Sequence, residues 1–301
     1  MKEDKLVKRI LITGGSGFVG KNLYEHLKEN EQYEIFVPSS QELNCIDEVQ
    51  VQNYLTDKKI DTVFHLAVYG DGIDRSKDGT KILEYNLRMF YNFQKNHHLY
   101  ERMFYAGSGA EYDKRFPIEQ VTESQIGTTL PIDQYGLMKY IAGQEIEHSE
   151  NIYNLRLFGI FGRYEYWPVK FISNICCKAL FDLPLTIRQN VYFDYLWIDD
   201  FLNIADAFLA KEQLDYHTYN VVSGKRIDLL TLCMMVKKVS GKDLRIIVCK
   251  DGLANEYTAS NERLRTEFPQ LSFTDMEQAV EKLYRWYEEH KEELDIYKLI
   301  Y

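Results

Sequence analysis

The chain has no apolar run long enough to cross a membrane as a helix; its longest hydrophobic stretches are strand-length, well short of the roughly 18 residues a span needs. It also lacks an excess of positive charge, with 46 Asp and Glu against 36 Lys and Arg and a formal net charge of −10. Such a chain binds phosphate backbones poorly, so neither nucleic acid nor a membrane is expected as a partner. No C-x-x-C spacing occurs among Cys45, Cys176, Cys177, Cys233 and Cys249, and the histidines show no ligand spacing. The odd cysteine count argues against a disulfide frame and a zinc site, and reads as small buried hydrophobes in a reducing compartment. Residues 1–8 are charged and carry no apolar core ahead of a cleavage site, so no secretory signal is read. The expectation is a cytoplasmic protein without a metal. Neither an internal repeat nor a low-complexity linker is found.

What is present is globular: 301 residues, 45% hydrophobic and 27% charged, enough for one large domain or a domain with a smaller appendage. Residues 9–13 (RILIT) read as a strand, followed by a glycine cluster and helical apolar spacing over 18–28. Strands at 33–37, 62–67, 102–106 and 152–158 alternate with helices from Asp47, at 82–97 and at 132–151. That alternation predicts an α/β fold, a Rossmann-type doubly wound parallel sheet with helices on both faces. After about Gly159 it weakens into helices at 167–178, 199–211, 228–239 and 276–291 and strands at 191–198, 219–222 and 245–248. The predicted division is a dinucleotide-binding domain over 1–158, joined by about 191–222, and a smaller C-terminal substrate-binding lobe over 159–301.

Gly14-x-x-Gly17-x-x-Gly20 falls between the first strand and the first helix. Glycines there permit a tight turn and close approach of backbone to a pyrophosphate, which the helix N-terminus attracts. Gly14, Ser16, Gly17, Phe18, Val19 and Gly20 are therefore the candidate phosphate site. A P-loop is excluded, since no Gly-Lys-Ser/Thr ending follows. The second strand ends Val37-Pro38-Ser39-Ser40-Gln41, without the carboxylate that holds a ribose 2′-hydroxyl. Ser39 and Ser40 are placed to hydrogen-bond a 2′-phosphate, although no arginine lies beside them. NADP(H) is expected ahead of NAD(H).

Tyr135 and Lys139 are four apart on a predicted helix and share a face. An ammonium beside a phenol lowers a pKa that starts near 10, letting tyrosine exchange a proton at neutral pH. Ser108 follows a predicted strand at its carboxyl end, where open parallel sheets bind ligands, and its hydroxyl can polarise a carbonyl. Alone, Y-x-x-x-K is weak in a chain with 23 tyrosines.

Four segments occur together in order: Thr13-Gly14-Gly15-Ser16-Gly17-Phe18-Val19-Gly20, Asp61-Thr62-Val63-Phe64-His65-Leu66-Ala67, Gly107-Ser108-Gly109-Ala110-Glu111-Tyr112 and Tyr135-Gly136-Leu137-Met138-Lys139. With them the chain resembles the extended short-chain dehydrogenases/reductases that act on nucleotide sugars. The resemblance implies a Ser108, Tyr135 and Lys139 catalytic triad, with Lys139 also on the nicotinamide ribose. It places Asn44 at the adenine, Leu66 and Ala67 along the cofactor, and Asn86 as a brace on the following helix. It further implies a homodimer working in nucleotide-sugar biosynthesis for surface polysaccharide.

The family's 4,6-dehydratases carry an acid and a base directly after the serine or threonine; here those positions are Gly109 and Ala110, and Glu111 comes one place late. Residues 33–47 are similar to GDP-L-fucose synthases, whose epimerising Cys and His would fall at Ala110 and Tyr164. The reductase half survives that loss, which favours a 4-keto reductase of a nucleotide-linked deoxy sugar. The alternative is an NAD-dependent nucleotide-sugar 4-epimerase, although Gly159 and Phe193 replace its usual Asn and Arg. Lys170, Arg188 and Arg263 are candidate substitutes for the diphosphate contact, each also readable as a solvated charge. A non-catalytic, cofactor-sensing version of the fold remains a third reading.

Overall fold

A computed structural model describes residues 7–70 and 77–300, so most of the N-terminal segment read for a signal lies outside the described residues. The chain gathers into two compact units. One comprises Met1–Asp113, Glu123–Leu157 and Gln213–Tyr219, the other Lys114–Thr122, Phe158–Glu212 and Asn220–Tyr301. Of the segment 191–222 expected in the first unit, only Gln213–Tyr219 falls there. The reason is strand pairing: Tyr192–Trp197 is hydrogen-bonded to Arg226–Asp228 and to Tyr257–Ala259. Lys114–Thr122 goes to the second unit for a related reason, since Ile118–Val121 pairs with Tyr257–Ala259.

The first unit runs β1 (Lys8–Thr13), α1 (Phe18–Leu27), β2 (Tyr33–Phe36), α2 (Glu48–Lys58), β3 (Thr62–His65), α3 (Ile82–Lys95), β4 (Arg102–Ser108) and α4 (Gln134–Ile146), then the strand Ile152–Leu157. Its six-stranded sheet has the order Thr218–Val221, Ile152–Leu157, β4, β3, β1, β2. Strand β1 runs parallel to both β2 and β3, and β4 runs parallel to both β3 and Ile152–Leu157, as the alternation predicts. Every residue of β3 is buried, the mark of a parallel sheet covered on both faces. Leu11, Val63, Phe90, Phe93, Met103 and Ile152 share one core. From β1 the chain adds β2 on one side and β3 on the other, and ligands settle at the carboxyl ends of strands beside such a reversal.

Local signals set the helix ends. Asp47 caps α2 by accepting from Gln50 N at 3.0 Å. Asp133 caps α4 in the same way, accepting from Gly136 N at 2.8 Å, so this helix starts later than the expected 132. It also ends sooner than 151, where the Ser149 hydroxyl donates to Ile146 O at 2.7 Å and the chain turns into the next strand.

In the second unit a sheet runs Arg226–Asp228, Tyr192–Trp197, Tyr257–Ala259, Ile118–Val121, with Gly159–Phe161 beside Tyr192–Trp197. Leu185–Asn190 and Ile246–Leu253 form a separate parallel pair. The helices Phe171–Leu180, Leu229–Ser240 and Met276–Glu289 pack on one another. Cys45, Cys176, Cys177 and Cys233 are buried as expected, but Cys249 is exposed, on the solvent-facing part of Ile246–Leu253. Among the described residues no helix is long and apolar enough to cross a membrane, and no group of three His, Cys, Asp or Glu could hold a metal.

Candidate active site

The glycine loop closes as its spacing requires. Gly14 has φ +70°, and a Cβ there would fall 2.8 Å from Ala67 Cα, too close for any side chain. Gly17 N donates to Gly14 O at 3.0 Å and is the N-cap of α1. No side chain caps that helix and no acid stands in its first turn, so its opening N–H groups and positive dipole end are available to an anion. Phe18 and Val19 begin the helix, and Gly20 packs on the Gly14 carbonyl.

A cleft of about 720 Å³ opens beside this loop. Of the candidate cofactor residues, Gly14, Ser16, Ser39, Ser40, Asn44 and Ala67 line it. Gly17 and Gly20 shape the loop, while Leu66 backs Gly14. Thr13 ties β1 to β3: its hydroxyl oxygen accepts from Ala67 N at 3.2 Å and lies 2.9 Å from His65 Nδ1. Burial, aided by the Lys139 charge, pushes the His65 imidazole down to about 3, so it is neutral and structural. Asn86 braces the segment after β3 from both sides, accepting from Tyr69 N at 2.9 Å and donating to Tyr69 O at 2.8 Å. Size, glycine cradle and uncapped helix together fit a dinucleotide.

Glu42 also lines the cleft, because the chain turns back on itself after β2, with Leu43 N bonded to Ser39 O at 2.9 Å. The Glu42 carboxylate accepts from Ser39 N at 2.8 Å. Hydrogen bonds from the Ser39 backbone and hydroxyl hold it below the usual carboxylate range.

At the carboxyl end of β4, Ser108 is buried, and its Oγ accepts from Ala110 N at 3.1 Å. That bond uses a lone pair and leaves the hydroxyl hydrogen to be donated. Glu111 reaches back to accept from Ser108 N at 3.1 Å, completing a capping box around the turn Gly109–Glu111. Gly136 lets α4 meet this turn, because a Cβ there would lie 2.7 Å from Ala110 O. On α4, Lys139 Nζ donates to Ala106 O at 2.5 Å and stands 4.4 Å over the Tyr105 ring and 5.8 Å from the centre of the Tyr135 ring. Burial lowers the ammonium to about 8, against the opposing charge of Glu111. Lys139 is therefore a cation at neutral pH with donors to spare beside a phenol.

Glu111 itself is fully buried and committed. It pairs with Arg156 Nε at 2.5 Å and accepts from Asn154 Nδ2 at 3.1 Å, while Arg156 Nη1 donates to Tyr112 Oη at 3.2 Å. The sequence reading missed Arg156 and Asn154, which alternate along one strand and become chemically visible only once that strand lies beside β4. All three predicted catalytic residues lie in the first unit, Ser108 at the end of β4 and Tyr135 and Lys139 on α4, with Lys139 bonded to Ala106 O of β4. The structure distributes Lys170, Arg188 and Arg263 over three elements of the second: the N-cap of Phe171–Leu180, the strand Leu185–Asn190 and the helix Glu262–Glu267.

Comparison with known proteins agrees with this geometry. Residues 10–222 match the NAD dependent epimerase/dehydratase family. The chain belongs to that family. A dTDP-D-glucose 4,6-dehydratase of Dictyostelium discoideum is 25% identical over 79% of this chain, which spans 64% of that relative's length. A GDP-mannoheptose C4 reductase from Campylobacter jejuni, solved with NADP bound, superposes with a TM-score of 0.82 at 16% identity, over 93% of this chain and 98% of its own. A dTDP-glucose 4,6-dehydratase from Bacillus anthracis, solved with NAD, gives 0.76 at 17% identity, over 95% and 98%. At such identities the likeness to the two structures is one of fold, and they differ in which nicotinamide dinucleotide they hold.

Proposed function

We propose that this member of the family reduces the 4-keto group of a nucleotide-linked deoxy sugar. The observation that carries this reading is the Lys139 ammonium, 5.8 Å from the centre of the Tyr135 ring and bonded to the strand that ends in Ser108, while the nearby carboxylate, Glu111, is locked in an ion pair. A dehydratase needs a free acid and base at that place; Gly109 and Ala110 provide neither, and the adjoining Glu111 is committed to Arg156. Epimerisation through a Cys and a His is likewise unsupported, since the matching positions hold Ala110 and Tyr164, whose ring packs on Trp286.

When bound, the reduced nicotinamide supplies a hydride to the keto carbon. Ser108 donates a hydrogen bond to the keto oxygen, and Tyr135 transfers its phenolic proton to that oxygen as charge develops. The carbonyl double bond thus gains one hydride and one proton, and the phenolate is reprotonated from water. Lys139, held by Ala106 O, favours the phenolate and so makes Tyr135 the stronger acid. Lys170, Arg188 and Arg263 are the candidates for the substrate's diphosphate.

The test uses 4-keto nucleotide sugars and follows oxidation of reduced nicotinamide. Tyr135→Phe is expected to cut turnover by about two to four orders of magnitude and leave dinucleotide binding largely intact. Near-normal turnover in that variant would remove Tyr135 from the mechanism. Near-stoichiometric NAD released by denaturing the purified protein would favour a self-regenerating 4-epimerase instead.

A further inference from the structure

The reduction described above gives Glu111 no step, yet the first unit makes room for it on three elements. A Cβ at Gly107 of β4 would fall 2.6 Å from Glu111 Oε1 and 1.9 Å from Asn154 Oδ1, and one at Gly143 of α4 would fall 2.6 Å from Glu111 Oε2. Both elements that carry the catalytic residues thus lack a side chain where the carboxylate sits. The third element, Ile152–Leu157, brings Asn154 Nδ2 to 3.1 Å from both carboxylate oxygens and Arg156 Nε to 2.5 Å from one. Ser108 N donates to the other at 3.1 Å, so the carboxylate is met by donors throughout. Stability explains the pair poorly. A buried ion pair can often be exchanged for apolar side chains of like volume without loss, and Arg156 Nη2 has no hydrogen-bond partner among the described residues.

We propose that Glu111 is a positioning residue for the reduction: anchored by Arg156 and Asn154, it fixes the turn that carries Ser108 and supplies a negative charge to the Lys139 ammonium. The capping box ties Ser108 at its N–H and at its Oγ, which holds the hydroxyl in one place at the end of β4. Around Lys139 stand Tyr105 and Ala106 O of β4, Tyr135 of α4 itself, the neutral His65 of β3 and the turn's Glu111, which is paired with Arg156. The charged residues of α3, Glu84, Arg88 and Lys95, are exposed, as are Glu145 and Glu147 of α4. Burial draws the Lys139 ammonium down to about 8, and the Glu111 charge opposes that fall. Without that charge Lys139 loses its proton closer to neutrality, and Tyr135 loses the cation that makes it the stronger acid. The inference rests on the reductase reading for the step that Glu111 serves, and on the geometry alone for the tie between Glu111 and Lys139.

The experiment titrates Lys139 by NMR in intact protein carrying isotope-labelled lysine, the signal being assigned by its loss in Lys139→Met, and follows turnover of 4-keto nucleotide sugars against pH. Glu111→Leu combined with Arg156→Met removes both charges, so neither is stranded. In that variant the Lys139 midpoint should fall by about one pH unit, and the alkaline limb of turnover should move with it, giving about a tenfold loss of kcat at about pH 8 with KM less affected. Glu111→Asp keeps the charge but is one methylene too short to hold Ser108 and Arg156 together; the Lys139 midpoint should stay, and kcat should fall about threefold to tenfold at every pH. An unchanged midpoint in the folded double variant would overturn the proposal and leave the reductase reading standing. Wild-type turnover in Glu111→Asp would do the same, and decides the matter where the double variant does not fold. Wild-type protein that turns over no 4-keto sugar would overturn the reductase reading, while the titration would still judge the tie between Glu111 and Lys139.

Discussion

Among the buried carboxylates, Glu111 of the first unit and Glu165 of the second are held by different means. Glu111, in the first, meets a guanidinium, a side-chain amide and a backbone N–H. Glu165, in the second, is 6% exposed and has the Ser173 hydroxyl at 2.6 Å as its side-chain partner. Burial pushes the Glu165 carboxyl up to about 7, with Ser173 and the Lys170 charge pulling the other way. Depth alone therefore does not decide what a buried acid does. A matched cation turns it into a fixed charge, and Glu111 in that state raises the proton affinity of Lys139. Without a matched cation the acid keeps a proton that it can lose near neutrality.

Three perturbations would break or sharpen this contrast. The largest effect is expected from Arg156→Met, which strands Glu111 in the interior and should cost about 3–5 kcal/mol in denaturant unfolding. A loss below about 1 kcal/mol would mean that Asn154 and Ser108 suffice. Combining it with Glu111→Leu should restore part of the loss. Next is the pH dependence of Glu165. Its folded value of about 7 lies above the 4.5 of the unfolded chain, so between these the folded state keeps a proton that the unfolded state releases. The stability from this group is fully present below about pH 4.5 and lost as pH rises to about 7, roughly 3 kcal/mol in all. Unfolding followed from pH 4.5 to 7.5 should show that slope in the wild type and a shallower one in Glu165→Gln; parallel curves would exclude Glu165 as the source. The smallest effect belongs to Ser173→Ala, about 1–2 kcal/mol at pH 5, because the carboxylic acid loses its partner. The proton-loss midpoint of Glu165 should rise in that variant, as read from the same stability curves.

The parts of this molecule that the sequence announces are those written in neighbouring residues. The glycine spacing, the Asp47 cap and the strand–helix alternation up to Leu157 are local, and Ser108, Tyr135 and Lys139 stand out because each occupies a set place in that alternation. Contacts made across the chain are not so written. Ile118–Val121 and Tyr257–Ala259 pair side by side although more than a hundred residues separate them, so no periodicity reveals either as a strand of the second unit. Arg156 reads as an ordinary inward residue of a strand until Glu111 is set opposite. The turn at Ser39, which sets Glu42 along the cleft, is likewise invisible when the strand end is read as a straight line.

The short return segment Gln213–Tyr219 has a consequence for how the chain is made. The strand Thr218–Val221 completes the edge of the six-stranded sheet beside Ile152–Leu157. During synthesis, Ile152–Leu157 emerges with an open flank that stays unpaired until some sixty further residues have left the ribosome. A fragment stopped at residue 158 would keep the glycine loop, Tyr135 and Lys139 and yet present a bare hydrogen-bonding edge. Association of such fragments through that edge, rather than a soluble half-protein that binds dinucleotide, is what truncation should yield.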